Sequence, residues 1–472
     1  MSAKQIQMSQ NTYQYDLTCL SSLGGLHQLL SVGIISLLAK GFYLDDRRIS
    51  DYFGRWLDPL LTDWLDIALA VYGADRLSLR RDQSNNDSHL QWARVFHLRI
   101  PVRHPEVWGR PDVMRTLSES LRYFTDDKWH FDFVEYPEIG KVSERQGYLF
   151  DSLPSAPFRV ALYSGGLDSF AGAAQQIAEM SNHSFVFVSG TTNSRQSRQQ
   201  RTQVSALKRE YGRDVFHVRV PFGIRWRNRP LRLEETSQRS RGFMFLTLGA
   251  VTALTIGSSE VFIYENGIGA INLPYDGTQI GTASSRGVHP LSLLRMSKFI
   301  KTLTGRSVQF INPFLFRTKG EMCRQTDVKR MAAHISETFS CDGFPVHTKG
   351  KPQCGSCTSC LLRRLSLQSA GLSDFDPSKG YLIDLLNPSV SASSRQLEGL
   401  KAMEWQYHRI DRLLRTEDPW RSLEIEFPQL RSILSEISDG ANVDVGDLQR
   451  QILQLYSQYT AEWSDFSARQ RF

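Results

Sequence analysis

The residues with the clearest chemical potential form a short run with the sequence Ser-Gly-Gly-Leu-Asp-Ser. This run follows an apolar segment, Arg159 to Tyr163, and precedes a segment expected to be helical from near Phe170. Two adjacent glycines permit a tight turn whose backbone N–H groups point inward, and the serine hydroxyls add further donors. A helix N-terminus also favours a bound anion. The run therefore predicts a phosphate-binding loop formed by Ser164, Gly165, Gly166, Leu167, Asp168 and Ser169.

Asp168 places a carboxylate in this loop, where a phosphate group would repel it. A divalent cation between the two removes the conflict, so we expect Mg²⁺ to accompany the nucleotide. No Gly-Lys-Ser/Thr sequence follows the turn, which distinguishes it from a Walker loop. A Gly-Gly pair alone is often only a turn, but the complete Ser-Gly-Gly-x-Asp-Ser string resembles the PP-loop of ATP pyrophosphatases. That resemblance implies that ATP is cleaved between its α and β phosphates.

Four of the six cysteines lie close together in the sequence and form a candidate metal site. Cys354, Cys357 and Cys360 have the spacing Cys-x-x-Cys-x-x-Cys, and Cys341 lies a short loop upstream. Four thiolates can enclose one zinc ion tetrahedrally, and such a filled coordination shell makes the zinc structural. An iron–sulfur cluster also accepts four thiolates and is the alternative. The remaining cysteines are expected to be ordinary buried thiols: Cys19 and Cys323.

Length and charge set broad limits on the protein class. With 472 residues the chain is expected to form two or three domains, and its net charge of +7 favours anionic ligands without requiring nucleic acid. Met1 to Thr12 lacks the apolar core of a signal peptide, which predicts a cytoplasmic protein. Gly242 to Ser259 is a long uncharged run, and its threonines and glycines favour a buried helix over a membrane span.

The loop lies within a segment, residues 155 to 372, in which apolar strands alternate with helices. This alternation predicts an α/β fold with a doubly wound parallel sheet. Ligands of such sheets bind at the carboxyl ends of the strands, so site residues are expected directly after them. The expected strands are Val160–Tyr163, Phe185–Val188, Val215–Val220, Val261–Tyr264 and Val308–Phe310.

Two further regions flank this segment. Residues 1 to 150 are expected to form an α+β accessory domain, with a helix over Ser21–Lys40 and another over Pro111–Phe124. Alternating apolar residues within Gln91–Val102 and Lys128–Val134 predict half-buried antiparallel strands, whose aromatic stripes are expected to be core. Residues 380 to 472 are expected to form a helical extension, from apolar repeats that include Leu397, Leu400, Met403, Tyr407, Ile410, Leu414, Leu448, Ile452, Leu455 and Tyr456.

The order of the loop and the four cysteines resembles the 7-cyano-7-deazaguanine synthase (QueC) family, over about residues 155 to 372. An arginine-containing helix start, Arg239 to Leu248, and the run Thr318-Lys-Gly-Glu321 also fit that family's layout. The resemblance implies catalytic roles for Asp168, Arg241 and Lys319, with Arg239 a weaker candidate. It implies substrate binding by Glu265, Asn266, Gly267, Tyr275 and Asp276.

The family's reaction, as the resemblance implies it, begins with ATP activating a carboxylate on a 7-deazaguanine as an acyl-adenylate. Pyrophosphate leaves, and an amine attacks the carbonyl. In the synthase the amine is ammonia, and a second activation converts the amide to a nitrile. The resemblance implies ATP, Mg²⁺ and a structural Zn²⁺ as cofactors.

The chain departs from the synthase pattern in two ways. Ser189 to Arg195 matches it poorly, and both flanking regions are additional to it. These regions, including Ala74-Asp-Arg-Leu77, resemble enlarged QueC-like proteins of bacterial antiphage defence operons. That resemblance implies that the acceptor is the amino terminus of a partner protein from the same operon. The extra domains would then dock the partner.

A basic stretch leaves a further alternative open. Arg195 to Arg241 contains thirteen Lys/Arg and four Asp/Glu residues, including the run Arg225-Trp-Arg-Asn-Arg229. Such a stretch with Trp226 could bind RNA, as in a tRNA-modifying PP-loop enzyme. A solvated rim that attracts ATP explains the same charges and is the preferred interpretation. A non-catalytic scaffold is the third hypothesis, and the intact loop argues against it.

Overall fold

The computed structural model describes most of the chain. The described residues are 12–23, 26–32, 39–80, 93–136, 157–212, 214–226, 234–235, 237–275, 286–343, 350–387, 391–441 and 443–470. Side chains of residues 19–40 are outside the described set.

Within these residues, the first three quarters of the chain contain both strands and helices, and the last quarter is helical. The strands are β1 Thr12–Leu23, β2 Leu26–Val32, β3 Ala39–Leu44, β4 Val95–Val102, β5 Lys128–Glu135, β6 Phe158–Leu162, β7 Ser184–Thr191, β8 Val215–Trp226, β9 Glu260–Ile263 and β10 Gln309–Ile311. The helices are α1 Arg47–Phe53, α2 Pro59–Leu77, α3 Pro105–Trp108, α4 Pro111–Thr125, α5 Leu167–Glu179, α6 Ser194–Tyr211, α7 Arg241–Ile256, α8 Gly267–Ile271, α9 Pro290–Thr304, α10 Lys319–Cys323, α11 Thr326–Arg330, α12 Thr358–Ser369, α13 Ser394–Leu414, α14 Pro419–Glu426, α15 Gln429–Ala441 and α16 Val445–Gln470.

The described strands form one mixed sheet with the order β10-β9-β6-β7-β8-β3-β2-β1-β4-β5. The half from β10 to β8 is parallel throughout, which confirms the parallel α/β core expected from the sequence. All eight residues of β7 are buried, as a central strand covered by helices on both faces requires. The loop after β6 therefore lies at the carboxyl edge of a sheet centre, where ligands of parallel sheets bind.

Two expectations for the amino-terminal region are wrong. β4 and β5 pair in parallel, with α4 as the crossover between them, whereas antiparallel pairing was expected. Residues 21–40 contribute to three strands, β1 to β3, where a helix was expected. The aromatic stripe is core, as expected, since Trp129 and Phe131 are buried and the Trp129 ring stacks on Phe96.

The amino-terminal strands join the parallel half through β3. β3 pairs with β8 in antiparallel register, with Phe42 opposite Ile224 and Leu44 opposite Phe222. One apolar cluster contains residues of both halves, for example Trp64 and Phe299, whose rings meet edge to face. The sheet is thus continuous across the expected boundary near residue 150, and the domain divisions near 150 and 380 remain predictions.

The carboxy-terminal residues are helical within their described part, as expected from their apolar periodicity. α13 to α16 share a buried cluster with α12 and α8, in which Met403, Ile452 and Trp463 are buried. These helices therefore pack on the segments that follow β9 and β10. No helix among the described residues combines the length and apolarity needed to cross a bilayer, and α7 is a buried helix as expected.

Candidate functional site

The loop after β6 is held in shape by its own two serines. The Gly165 N–H donates to Ser169 Oγ at 3.1 Å, and the Gly166 N–H donates to Ser164 Oγ at 3.2 Å. Ser169 Oγ in turn donates to the Gly166 carbonyl at 3.0 Å. Gly165 has a φ of +85°, which is the left-handed region that side chains disfavour. The two serines and Gly165 thus fix a tight turn directly before α5.

Two glutamines of α6 donate hydrogen bonds to the backbone carbonyl groups of this loop. Gln200 Nε2 donates to the Ser164 carbonyl at 2.9 Å, and Gln203 Nε2 donates to the Gly165 carbonyl at 3.1 Å. Both side chains are fully buried. Gln200 and Gln203 were not predicted as site residues, although two glutamines three residues apart on the buried face of a helix are a usable sequence signal. They tie the loop carbonyls to α6.

The carboxylate of Asp168, at the start of α5, meets two polar side chains, Lys319 and Asn266. Lys319 Nζ lies 2.8 Å from Asp168 Oδ2, and both side chains are largely buried. Asn266 Nδ2 donates to Asp168 Oδ1 at 3.3 Å and to Glu265 Oε1 at 2.8 Å. The structure therefore brings together four of the candidate residues, from the ends of β6, β9 and β10. The Lys319 ammonium pairs directly with Asp168, and the Glu265 carboxyl acts on it electrostatically.

Burial and neighbouring charges set the protonation of this cluster. Burial, reinforced by the Asp168 carboxylate, raises the pKa of Glu265 to about 8, although Lys319 opposes the shift. Burial lowers the pKa of Lys319, but Asp168 and Glu265 outweigh it and the net shift is upward. Lys319 is therefore a cation at neutral pH, while Glu265 can keep its proton there.

Two short helices bring these side chains to the cluster. Asn266 caps α8, with its Oδ1 accepting from the Gly269 N–H at 3.0 Å. Thr318 caps α10 in a capping box with Glu321, so that Lys319 is the first helical residue. The Gly267 N–H donates to the Arg317 carbonyl at 2.8 Å, which links the two helix starts. The helix ends thus fix the spacing of Asn266 and Lys319.

Tyr275 is buried within electrostatic reach of Lys319 and of Asp342. Burial is the main reason that its pKa is raised to about 12, with Asp342 adding to the shift and Lys319 opposing it. The neighbouring candidate Asp276 lies outside the described residues.

The two candidate arginines make other contacts. The Arg241 guanidinium lies over the Phe245 ring at 5.0 Å, and burial lowers its pKa. Arg239 pairs with Asp126 at 2.6 Å. Among the described contacts the structure does not join either arginine to the Asp168–Lys319 pair. Their catalytic assignment stays a prediction.

The four cysteines converge on one point. Their sulfur atoms all lie within 4.8 Å of one another. Cys354 Sγ is 3.8 Å from Cys360 Sγ, and Cys357 Sγ is 4.0 Å from Cys341 Sγ. Four sulfurs at about 2.3 Å from a tetrahedral zinc lie about 3.8 Å apart. The cluster is therefore compatible with zinc.

The cysteine cluster is tied to the phosphate-binding loop through residues 338–341. Gln353, next to Cys354, donates to the Thr338 carbonyl at 3.1 Å and accepts from the Ser340 N–H at 3.2 Å. Between them, the Phe339 N–H donates to the Gly165 carbonyl at 3.3 Å. A filled metal site would thus help to hold one side of the loop.

The two remaining cysteines were expected to be buried thiols. Cys323 is buried, as expected, and burial raises its pKa to about 12. The side chain of Cys19 lies outside the described set.

Comparison with known proteins gives one distant relationship. The chain is 26% identical over 231 residues to the 7-cyano-7-deazaguanine synthase of Thermoplasma acidophilum, a match that covers 46% of this chain and 89% of that synthase. No family model matches the chain. The similarity supports a relationship to the synthase family, and it leaves more than half of this chain outside the shared part.

Proposed function

We propose that this protein uses ATP to activate the carboxylate of a 7-deazaguanine and then transfers the acyl group to an amine. The observation that carries the proposal is the Asp168–Lys319 pair beside a serine-glycine loop, in a chain related to a deazaguanine synthase. The loop and helix start suit an anion, and Lys319 adds a positive charge. Similarity to the synthase supports the substrate class.

The chemistry requires charge balance at the α phosphate of ATP. A carboxylate oxygen attacks the α phosphorus, the bond to the bridging oxygen breaks, and pyrophosphate leaves with that electron pair. Donors of Ser164–Ser169 and the Lys319 ammonium would stabilise the departing charge. The Asp168 carboxylate would supply an oxygen ligand of the kind that Mg²⁺ prefers. When bound, Mg²⁺ would neutralise further charge on the phosphates.

The second half of the reaction depends on the acceptor. An amine attacks the acyl carbonyl, AMP leaves with one former carboxylate oxygen, and the amine loses a proton. Glu265, with its raised pKa, is a candidate to receive that proton in its ionised form. We propose the amino terminus of a partner protein as the acceptor. The amount of chain outside the synthase match supports a surface for such a partner.

Mass spectrometry tests both halves together. The protein is incubated with ATP, Mg²⁺ and 7-carboxy-7-deazaguanine, with and without proteins encoded beside it, and all products are weighed. We expect AMP, pyrophosphate and a partner protein heavier by the deazaguanine acyl group. A free nitrile formed with ammonia would instead identify a 7-cyano-7-deazaguanine synthase. Modified tRNA, with binding that weakens steeply with salt, would identify a tRNA-modifying enzyme.

The variant that tests the assigned site is Asp168→Ala. It should abolish pyrophosphate release while circular dichroism shows a folded protein. Turnover equal to that of the wild type would refute the assigned site.

A further inference from the structure

A carboxylate from the last helix lies against the helix that carries Lys319. Glu462 of α16 is only 3% exposed, and its Oε1 accepts from Thr318 Oγ at 2.8 Å. The same oxygen accepts from Arg324 Nη2 at 2.7 Å and from Gln458 Nε2 at 3.2 Å. Thr318 and Arg324 flank α10 at its two ends. Glu462 therefore holds α10 at both ends from a helix of the carboxy-terminal extension.

The approach between these two helices is close. A methyl group on Gly320 would overlap the Glu462 carboxylate, so a larger residue at this position would have to displace that carboxylate or α10. On the same face of α16, Leu455 contacts Gly267, the first residue of α8. One helix of the extension thus packs on the starts of both short helices that bring Asn266 and Lys319 to Asp168.

Short helices depend on such contacts for their position. α8 and α10 have five residues each, too few for stable helices in isolation. Their local caps fix the first turn, but a cap does not determine where the turn lies relative to α5. That placement has to come from packing against longer elements, and α16 with 26 residues is one of them.

We propose that Glu462 is a positioning residue, which holds Lys319 where it can serve the pyrophosphate moiety of ATP. This inference rests on the proposed function and deepens it, because it makes the carboxy-terminal extension part of the ATP site. Glu462 acts through Thr318 and α10 and does not itself contact ATP. Its loss should therefore affect the binding of ATP more than that of AMP, which lacks the β and γ phosphates.

The test measures the affinities of the full chain for Mg²⁺–ATP and for AMP by calorimetry. We expect Glu462→Ala to weaken ATP binding about tenfold, the equivalent of one charge-assisted hydrogen bond, and to change AMP binding less than about twofold. In a Lys319→Ala background the same change should add less than about twofold, because the two residues act on one interaction. Glu462→Gln keeps an acceptor for Thr318 and should recover most of the affinity.

Two further variants complete the design. Asp465→Ala removes an exposed carboxylate from the same helix and should leave both affinities unchanged. Gly320→Ala should force the Glu462 carboxylate and α10 apart without removing a polar group. It should weaken ATP binding selectively, and it carries the test if Glu462→Ala does not fold.

Three results would overturn the inference. The first is equal weakening of ATP and AMP, which is a general loss of structure. The second is that Glu462→Ala weakens ATP binding by the same factor in the Lys319→Ala background as in the wild type. The third is that the wild type binds ATP and that neither Glu462→Ala nor Gly320→Ala changes its affinity. This result would reject the role of Glu462 but not the proposed function. A wild type that does not bind ATP rejects the proposed function as well.

Discussion

Removing the charge of Lys319 should destabilise the nucleotide-free protein strongly. Lys319 Nζ lies 2.8 Å from Asp168 Oδ2, with side-chain exposures of 6% and 12%, so neither charge is well solvated. Breaking a buried pair by removing one partner costs about 3–5 kcal/mol, because the other charge is left uncompensated. For Lys319→Met, which keeps most of the side-chain volume, we expect a loss in that range near neutral pH.

The loss should depend on pH in a defined direction. Lys319 opposes the upward shift of the Glu265 pKa, so its removal should raise that pKa further, because burial and the Asp168 carboxylate then act without an opposing charge. Protonation is easier at low pH, so the variant should lose less stability at pH 6 than at pH 8.5. The folded variant binds more protons than its unfolded chain in this window, and its stability therefore falls as pH rises.

Urea unfolding at the two pH values, without ATP or added Mg²⁺, measures this loss as a shift in midpoint at constant slope. The control is Lys319→Met combined with Asp168→Asn, which leaves no lone charge on Asp168 and should regain most of the stability. The reasoning fails if Lys319→Met costs less than about 1 kcal/mol, or if the double variant is no more stable than the single one.

Three further predictions concern the loop, the cysteines and Glu265. Gly165→Ala should weaken ATP binding at least tenfold in calorimetry. A side chain is disfavoured at the left-handed φ of +85°, which costs about 1–2 kcal/mol, and the added methyl would lie 3.0 Å from Phe339 Cε1, so the loop should be distorted. Gly212→Ala, with φ +55° and open space around it, is the matched control and should leave ATP binding unchanged. Cys357→Ser should remove one equivalent of zinc by elemental analysis and speed hydrogen exchange at Phe339, which unchanged exchange would contradict. Glu265→Gln should reduce the fall in thermal midpoint between about pH 4.5 and 8, because the raised pKa of Glu265 gives a stabilising contribution that is lost as pH rises through this range. Plots of thermal midpoint against pH that run parallel for the wild type and the variant would disprove this.

The sequence predicted the parallel core well because its strands are buried on both faces. β7 illustrates this, since a continuous apolar run between helices has few other solutions. The prediction failed at residues 21–40, where a short apolar run such as Leu26–Val32 has no period that separates a strand from a buried helix. These residues are strands in a sheet whose pairing partners are distant in sequence, β8 through β3 and β4 through β1.

The candidate site was predictable to the extent that chemistry is local. The loop and the cysteines are contiguous motifs, and the structure brings Asp168, Glu265, Asn266 and Lys319 together. Glu462 could not be found in this way, because its contact with Thr318 spans 144 residues and depends on how α16 packs. Arg239 is the opposite case, a candidate named from the sequence that the structure pairs with Asp126 of the amino-terminal region.

The central claim is that ATP activates a deazaguanine carboxylate by adenylation. It is tested most directly with 7-carboxy-7-deazaguanine labelled with ¹⁸O in the carboxylate, together with ATP, Mg²⁺ and the acceptor. Mass spectrometry of the products should show one ¹⁸O atom in AMP and none in pyrophosphate. Unlabelled AMP, or ¹⁸O in inorganic phosphate with ADP as the nucleotide product, would contradict the account.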